Sequence, residues 1–220
     1  SVEELVNKPF ILEDLRELLK NISDLERLIS RVNYGNANPR DLLLLQGSLE
    51  LIPDIIKILN ETEAGLLDNL SKLKIMSYVT GLIDESIVDE PPVITGEGNF
   101  IKDGYNEELD KYRNISKNAK KLLREIEQKE RENTNIKSLK IRYNKIFGYY
   151  IDVTKSNLHL APDYFIKKQT LVNSERFITP ELKELEDQIL NAEEKIIKIE
   201  LNLYEEIIEK IKKYTVDIQD

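Results

Sequence analysis

The chain has 220 residues, 40% hydrophobic and 33% charged, with a net charge of -9; that is length for one large or two small domains and enough apolar material for a core. It has no cysteine and one histidine, His159, which excludes disulfides and thiolate metal sites and leaves no histidine pair for zinc. No apolar run approaches the ~20 residues of a membrane helix, and no charged-then-apolar leader opens the chain, so no membrane partner is expected and an intracellular setting is the default.

In chain order, the first half reads as helical. Leu5, Leu12, Leu15, Leu18 and Leu19 follow helical spacing with Pro9 as an early-turn interruption. The chain enters this pattern from Ser1 without an initiator methionine, which points to a segment of something longer. Ser23-Asp24-Leu25-Glu26 reads as a capping box led by Ser23, opening a second helix through Val32. Asn38-Pro39 reads as N-cap and first helical residue of a third, running to Leu51. Further helices are expected from about Pro53 to Leu59 and, unbroken, from about Ala64 to Leu82. Residues 86–104, with Pro91-Pro92, Gly96, Gly98 and Gly104, read as a connector. The chain contains no GxxxxGK[ST] loop, so it carries no nucleotide site of that kind.

Two long helical segments follow. From Asn106 to about Asn133, the stripe is Leu109, Tyr112, Ile115, Ala119, Leu122 and Ile126. From Pro180 to about Tyr214, Leu182, Leu185, Ile189, Ala192, Ile196, Ile199 and Leu203 alternate by three and four, with Ile207 and Ile211 continuing; Thr179 is the expected N-cap. Rods of roughly 40 to 50 Å need a partner for these stripes, and the simplest one is each other, packed antiparallel. Between them, Leu139, Ile141 and Tyr143 alternate with Lys140, Arg142 and Asn144. Phe147, Tyr149, Ile151 and Val153 then alternate with Gly148, Tyr150, Asp152 and Thr154, a hairpin turning near Asn144-Lys145-Ile146-Phe147. Further strands are expected at Tyr164 to Val172 and Glu175 to Ile178, placing a small sheet at the tip of a two-helix arm. The fold class is therefore mainly α with a small β insertion.

Charge is segregated along the chain. Lys111 to Arg176 holds 16 Lys+Arg against 7 Asp+Glu, leaving 16 basic and 34 acidic residues elsewhere. A basic block on an acidic body is an electrostatic footprint for a polyanion, although lysines on the helical part also serve simply to solvate a face. Phe147, Tyr149 and Tyr150 read first as sheet core and second as base-stacking rings. Lys145 at the turn, with Asn144 beside it, has little core to serve and is the leading binding candidate. Lys137, Lys140, Arg142, Lys155, Lys167 and Lys168 would together suit phosphates. No nucleophile, carboxylate pair or general base forms a catalytic constellation, so no enzyme activity is expected of this chain.

Four strings, "NANPRDLLLLQGSLE", "GNFIKDGYNEELDKYR", "LKIRYNKIFGYYIDVTKSN" and "IKKQTLVNSERFITPELKELEDQILNAEEKI", resemble the bacterial MutS family of DNA mismatch-repair proteins in its core (lever) and clamp regions. The resemblance implies a helical core or lever region over 1–103, an ascending lever helix and β clamp over 104–179, and a descending lever helix over 180–220. It implies that the clamp grips the backbone of double-stranded DNA without reading sequence, with Asn144 and Lys145 as the best-matched positions and Lys167 and Lys168 as secondary ones, while Arg142 stands on its charge in the hairpin alone. The resembled parent is a cytoplasmic bacterial homodimer whose ATP and Mg bind in another domain; this chain itself needs no cofactor and lacks the family's mismatch-reading Phe-x-Glu element. The alternative is a structural arm whose basic tip docks an acidic protein surface.

Overall fold

The computed structural model of the chain describes residues 2–63, 65–70 and 72–219. They form two compact units, residues 1–105 with 199–220, and residues 106–198.

The first unit is helical. It opens with α1 (Val2–Asn7) and α2 (Pro9–Lys20), because Pro9 starts a new helix at its first turn instead of interrupting one. Next come α3 (Leu25–Asn33), α4 (Pro39–Glu50), α5 (Ile52–Leu59), α6 (Gly65–Leu70) and α7 (Ser77–Ser86). The cap of α3 is Asp24, whose Oδ1 accepts from Arg27 N–H at 2.9 Å, and not the expected Ser23, whose own N–H is taken by Ser48 Oγ. Asp24→Ala is accordingly expected to cost about 1 kcal/mol in urea unfolding, and Ser23→Ala clearly less. Asn38 does cap α4, in a reciprocal box with Asp41. The single helix expected from Ala64 to Leu82 is two, and Ala64 itself lies outside the described residues. Residues 73–76 leave the helix with no proline or glycine to announce it, and Met76 is buried there while Ile75 is exposed.

Leu15, Ile55, Leu59 and Leu67 form one buried cluster of this unit. The expected connector folds back on itself: Ile87 and Ile101 form an antiparallel bridge, and both are buried with Phe100. The Phe100 ring meets Tyr204 edge-on at 5.5 Å, and Tyr204 donates its hydroxyl to Ala37 C=O at 2.9 Å. Burial pushes the Tyr204 hydroxyl up from its ordinary pKa, with the charge of Asp41 adding to the effect.

The second unit is built on α8 (Glu107–Thr134) and on α9 (Pro180–Lys212), which continues into the first unit and is followed there by a short α10 (Thr215–Gln219). Asn106 caps α8, its Oδ1 accepting from Leu109 N–H, and Asn135 closes it in the left-handed conformation at φ 58°. Thr179 caps α9 through Leu182 N–H. Ion pairs Lys129 to Glu181 at 3.1 Å and Lys120 to Glu193 at 2.6 Å set the two helices antiparallel within this unit.

Between the helices lie β1 (Lys140–Asn144), β2 (Gly148–Thr154), β3 (Ile166–Thr170) and β4 (Ser174–Ile178), all antiparallel in the order β1-β2-β4-β3. One sheet face packs on both helices. Ile151, Val153 and Phe177 join Ala119, Leu123 and Ile126 of α8 and Leu182, Leu185 and Ile189 of α9 in one core.

The sheet changes the phase of the α8 stripe. Leu123 is buried in place of Leu122, which is 46% exposed, and Ile115 is exposed as well. A helix covered by a sheet as well as by a second helix buries a wider and rotated stripe than a two-helix seam requires. Leu122 instead lines an open groove with Glu125, Lys129, Glu181 and Glu184. On α9, Leu182, Leu185, Ile189 and Ala192 are buried as expected, and Ile196 only partly.

Candidate nucleic-acid interface

Strand register sorts the side chains of the sheet. Ile141 opposite Ile151 and Tyr143 opposite Tyr149 share the face that meets the helices, so Lys140, Arg142 and Asn144 fall on the other face, with Tyr150, Asp152 and Arg176. The Tyr143 and Tyr149 rings meet at 4.9 Å on the helix side, tilted by 53° to each other. Burial raises the Tyr149 hydroxyl pKa, and the carboxylate of Glu193 adds to it.

The outer face is not the plain polar surface that alternation predicts. Tyr150 is 6% exposed because the Arg176 guanidinium lies over its ring at 4.3 Å, with Phe147 also 5.9 Å from that guanidinium. Phe147 thus belongs to the turn and the outer face, not to the apolar row with Tyr149. Arg176 also donates from Nη1 to Gln169 Oε1 at 2.8 Å, and Arg142 Nε lies 3.6 Å from Asp152 Oδ2. Arg176 was not among the sequence candidates, since nothing local distinguishes it from any strand arginine.

The hairpin turn is internally hydrogen-bonded and exposed. Asn144 Oδ1 accepts from the N–H of Ile146 at 2.8 Å and of Phe147 at 3.3 Å, an Asx turn that holds Lys145 and Ile146 outward. Lys145 is exposed and makes no ion pair among the described residues. The turn does not lie where α8 gives way to β1: Gly148, directly after it, sits against Glu186 in the second turn of α9. The opposite end of the sheet gathers a different set. There Lys155 N–H donates to Asn173 C=O and Asn157 Nδ2 donates to Ser138 Oγ, with Lys137 exposed alongside.

The five leading candidates therefore separate. Asn144, Lys145 and Arg142 share the hairpin, with Arg142 on the outer face. Lys167 opposes Phe177 on the helix-side face and is ion-paired to Glu175 at 2.7 Å, while Lys168 occupies a bulge between Lys167 and Gln169 and is exposed. No group of histidines, cysteines or carboxylates among the described residues is arranged to hold a metal ion, and no described helix is long and apolar enough to cross a membrane.

The second unit coincides closely with a known family domain. The profile of MutS family domain IV matches residues 104–195, and full-chain matches extend the likeness to both units. The chain is 51% identical over 222 residues to the DNA mismatch repair protein MutS of Geobacillus sp. (strain WCH70), covering 99% of this chain and 26% of that protein. It is 49% identical over 222 residues to that of Clostridium kluyveri, covering 100% and 26%, and 50% identical over 225 residues to that of Bacillus cytotoxicus, covering 99% and 25%. This chain belongs to the MutS family. It spans about a quarter of the length of these relatives. Within the MutS chain, the four-stranded sheet and the helices that carry it are the part matched to domain IV.

Proposed function

We propose that this chain holds duplex DNA by its backbone, without reading sequence, through the basic sheet of residues 106–198. The observation that carries this reading is the coincidence of the charge-segregated sheet with the domain IV match in relatives named DNA mismatch repair proteins. In this reading residues 104–179 supply an ascending lever helix and a clamp, 180–220 a descending lever helix, and 1–103 a helical core. The long helices would couple DNA held at the clamp to a distant ATPase, which binds ATP and Mg outside this chain in a homodimeric, cytoplasmic parent. Phosphate contact is assigned to Lys145, Asn144 and Arg142 at the hairpin and to Lys168 at the bulge. Lys167 is the weakest of the set, because Glu175 already holds its ammonium.

Binding of this chain to a duplex across a salt series tests the reading. Log K should fall with log salt by about 0.9 per neutralised phosphate, with an affinity near the 10⁻⁴ to 10⁻⁶ M of nonspecific binding, and a mismatch should change nothing. The Lys145→Glu, Lys168→Glu double variant should weaken binding roughly tenfold at low salt and flatten the slope by about 2, with an unchanged melting temperature. Unchanged affinity in that variant would sink the contact assignment. Binding to an acidic protein in preference to duplex would favour a protein-docking arm.

A further inference from the structure

Two strands of the hairpin carry backbone donors that the sheet cannot serve. β1 is an edge strand, and Ile141 turns its N–H away from β2. The pairing of β2 with β4 begins at Ile151 opposite Phe177, so Tyr149, two residues earlier, has no strand beyond it to accept its N–H. An unserved donor in a packed interface is costly, and an open edge invites wrong partners.

Each donor is met by a glutamate, one from each long helix. Glu127 of α8 accepts from Ile141 N–H at 2.7 Å, and its neighbour Arg131, ion-paired to it at 2.6 Å, donates from Nε to Leu139 C=O at 2.7 Å. The pair reads the edge of β1 as another strand would. Glu186 of α9, 5% exposed, accepts from Tyr149 N–H at 2.5 Å and is paired with Lys183. Gly148 gives the carboxylate its space: a Cβ there would stand 2.0 Å from Glu186 Oε2.

We propose that Glu127 and Glu186 are positioning residues, which fix the orientation of the hairpin, and with it Arg142 and Lys145, to the register of α8 against α9. The consequence for binding rests on the DNA-holding reading above; the positioning itself does not. A shift of one long helix along the other would pull on one strand of the hairpin and not the other, re-aiming its basic side chains.

Two variants of Glu186 with opposite defects decide it. Glu186→Asp keeps the charge and loses the reach; Glu186→Gln loses the charge and keeps an oxygen acceptor at the same distance. Amide exchange at Tyr149 should accelerate at least about tenfold in Glu186→Asp, while Phe177 and Ile189 keep their protection, and should return close to the parent rate in Glu186→Gln. Duplex affinity at low salt should follow the same order, reduced in Glu186→Asp and rescued in Glu186→Gln. The reverse order, or a Glu186→Gln no better than Glu186→Asp, would overturn the positioning role and leave Glu186 as a charge. Should the parent chain bind no duplex, the DNA-holding reading falls, and the exchange rates still decide the positioning.

Discussion

Ile189→Asp is expected to unfold residues 106–198 while the first unit keeps its helical signal. Ile189 is fully buried where α8, α9 and the sheet meet, against Leu123, Phe177 and Leu185 in the same core. Truncating such a side chain costs about 2 to 5 kcal/mol by itself. An aspartate adds the cost of a carboxylate with no cation in that core to receive it, several kcal/mol more unless it takes up a proton. Together these approach the whole stability of a domain of this size, which lies at about 5 to 15 kcal/mol. Leu122→Asp is the control, one residue from the buried Leu123 but open to solvent, and should change stability by less than about 1 kcal/mol. Urea unfolding followed by near-ultraviolet tyrosine signal and by amide exchange separates the two. Equal losses at both positions would mean that Leu122 faces the core and that the assigned phase of the α8 stripe is wrong.

Gly148→Ala is expected to be the most damaging single-methyl change in the hairpin. Gly148 has φ 72°, in the left-handed region, where a residue with a Cβ pays roughly 1 to 2 kcal/mol. The added carbon also overlaps the Glu186 carboxylate, which has to leave and strand the Tyr149 N–H, at a further cost of about 1 to 3 kcal/mol. The sum is about 2 to 5 kcal/mol, read as a lower urea midpoint at an unchanged slope. Combining Gly148→Ala with Glu186→Ala should cost clearly less than the two losses added, because the collision is then relieved and the Tyr149 donor is lost only once. Strict additivity would show that glycine is required here for its conformation alone.

Much of this architecture was legible in local chemistry. Asn38-Pro39, Asn106 and Thr179-Pro180 mark helix starts because a short polar side chain satisfies free N–H groups and proline has none to lose. The period-2 rows from Leu139 to Val153 announced two strands, since alternate side chains in an extended chain leave by opposite faces. At Ser23-Asp24 the same reasoning chose the wrong residue of two adequate caps. The competing claim on the Ser23 N–H comes from Ser48, twenty-five residues away.

The sequence by itself thus determined the two long helices, the capped starts at Asn38, Asn106 and Thr179, the strands and the concentration of positive charge between Lys111 and Arg176, but not the break between α6 and α7. Tertiary structure alone decided that Leu123 and not Leu122 is buried, and that Arg176 covers Tyr150. It alone set the hairpin turn beside α9, and gave the Ile141 and Tyr149 N–H groups to Glu127 and Glu186. Those four outcomes depend on which distant group arrives at a given face or donor. Packing between elements sets that, and no spacing within one element encodes it.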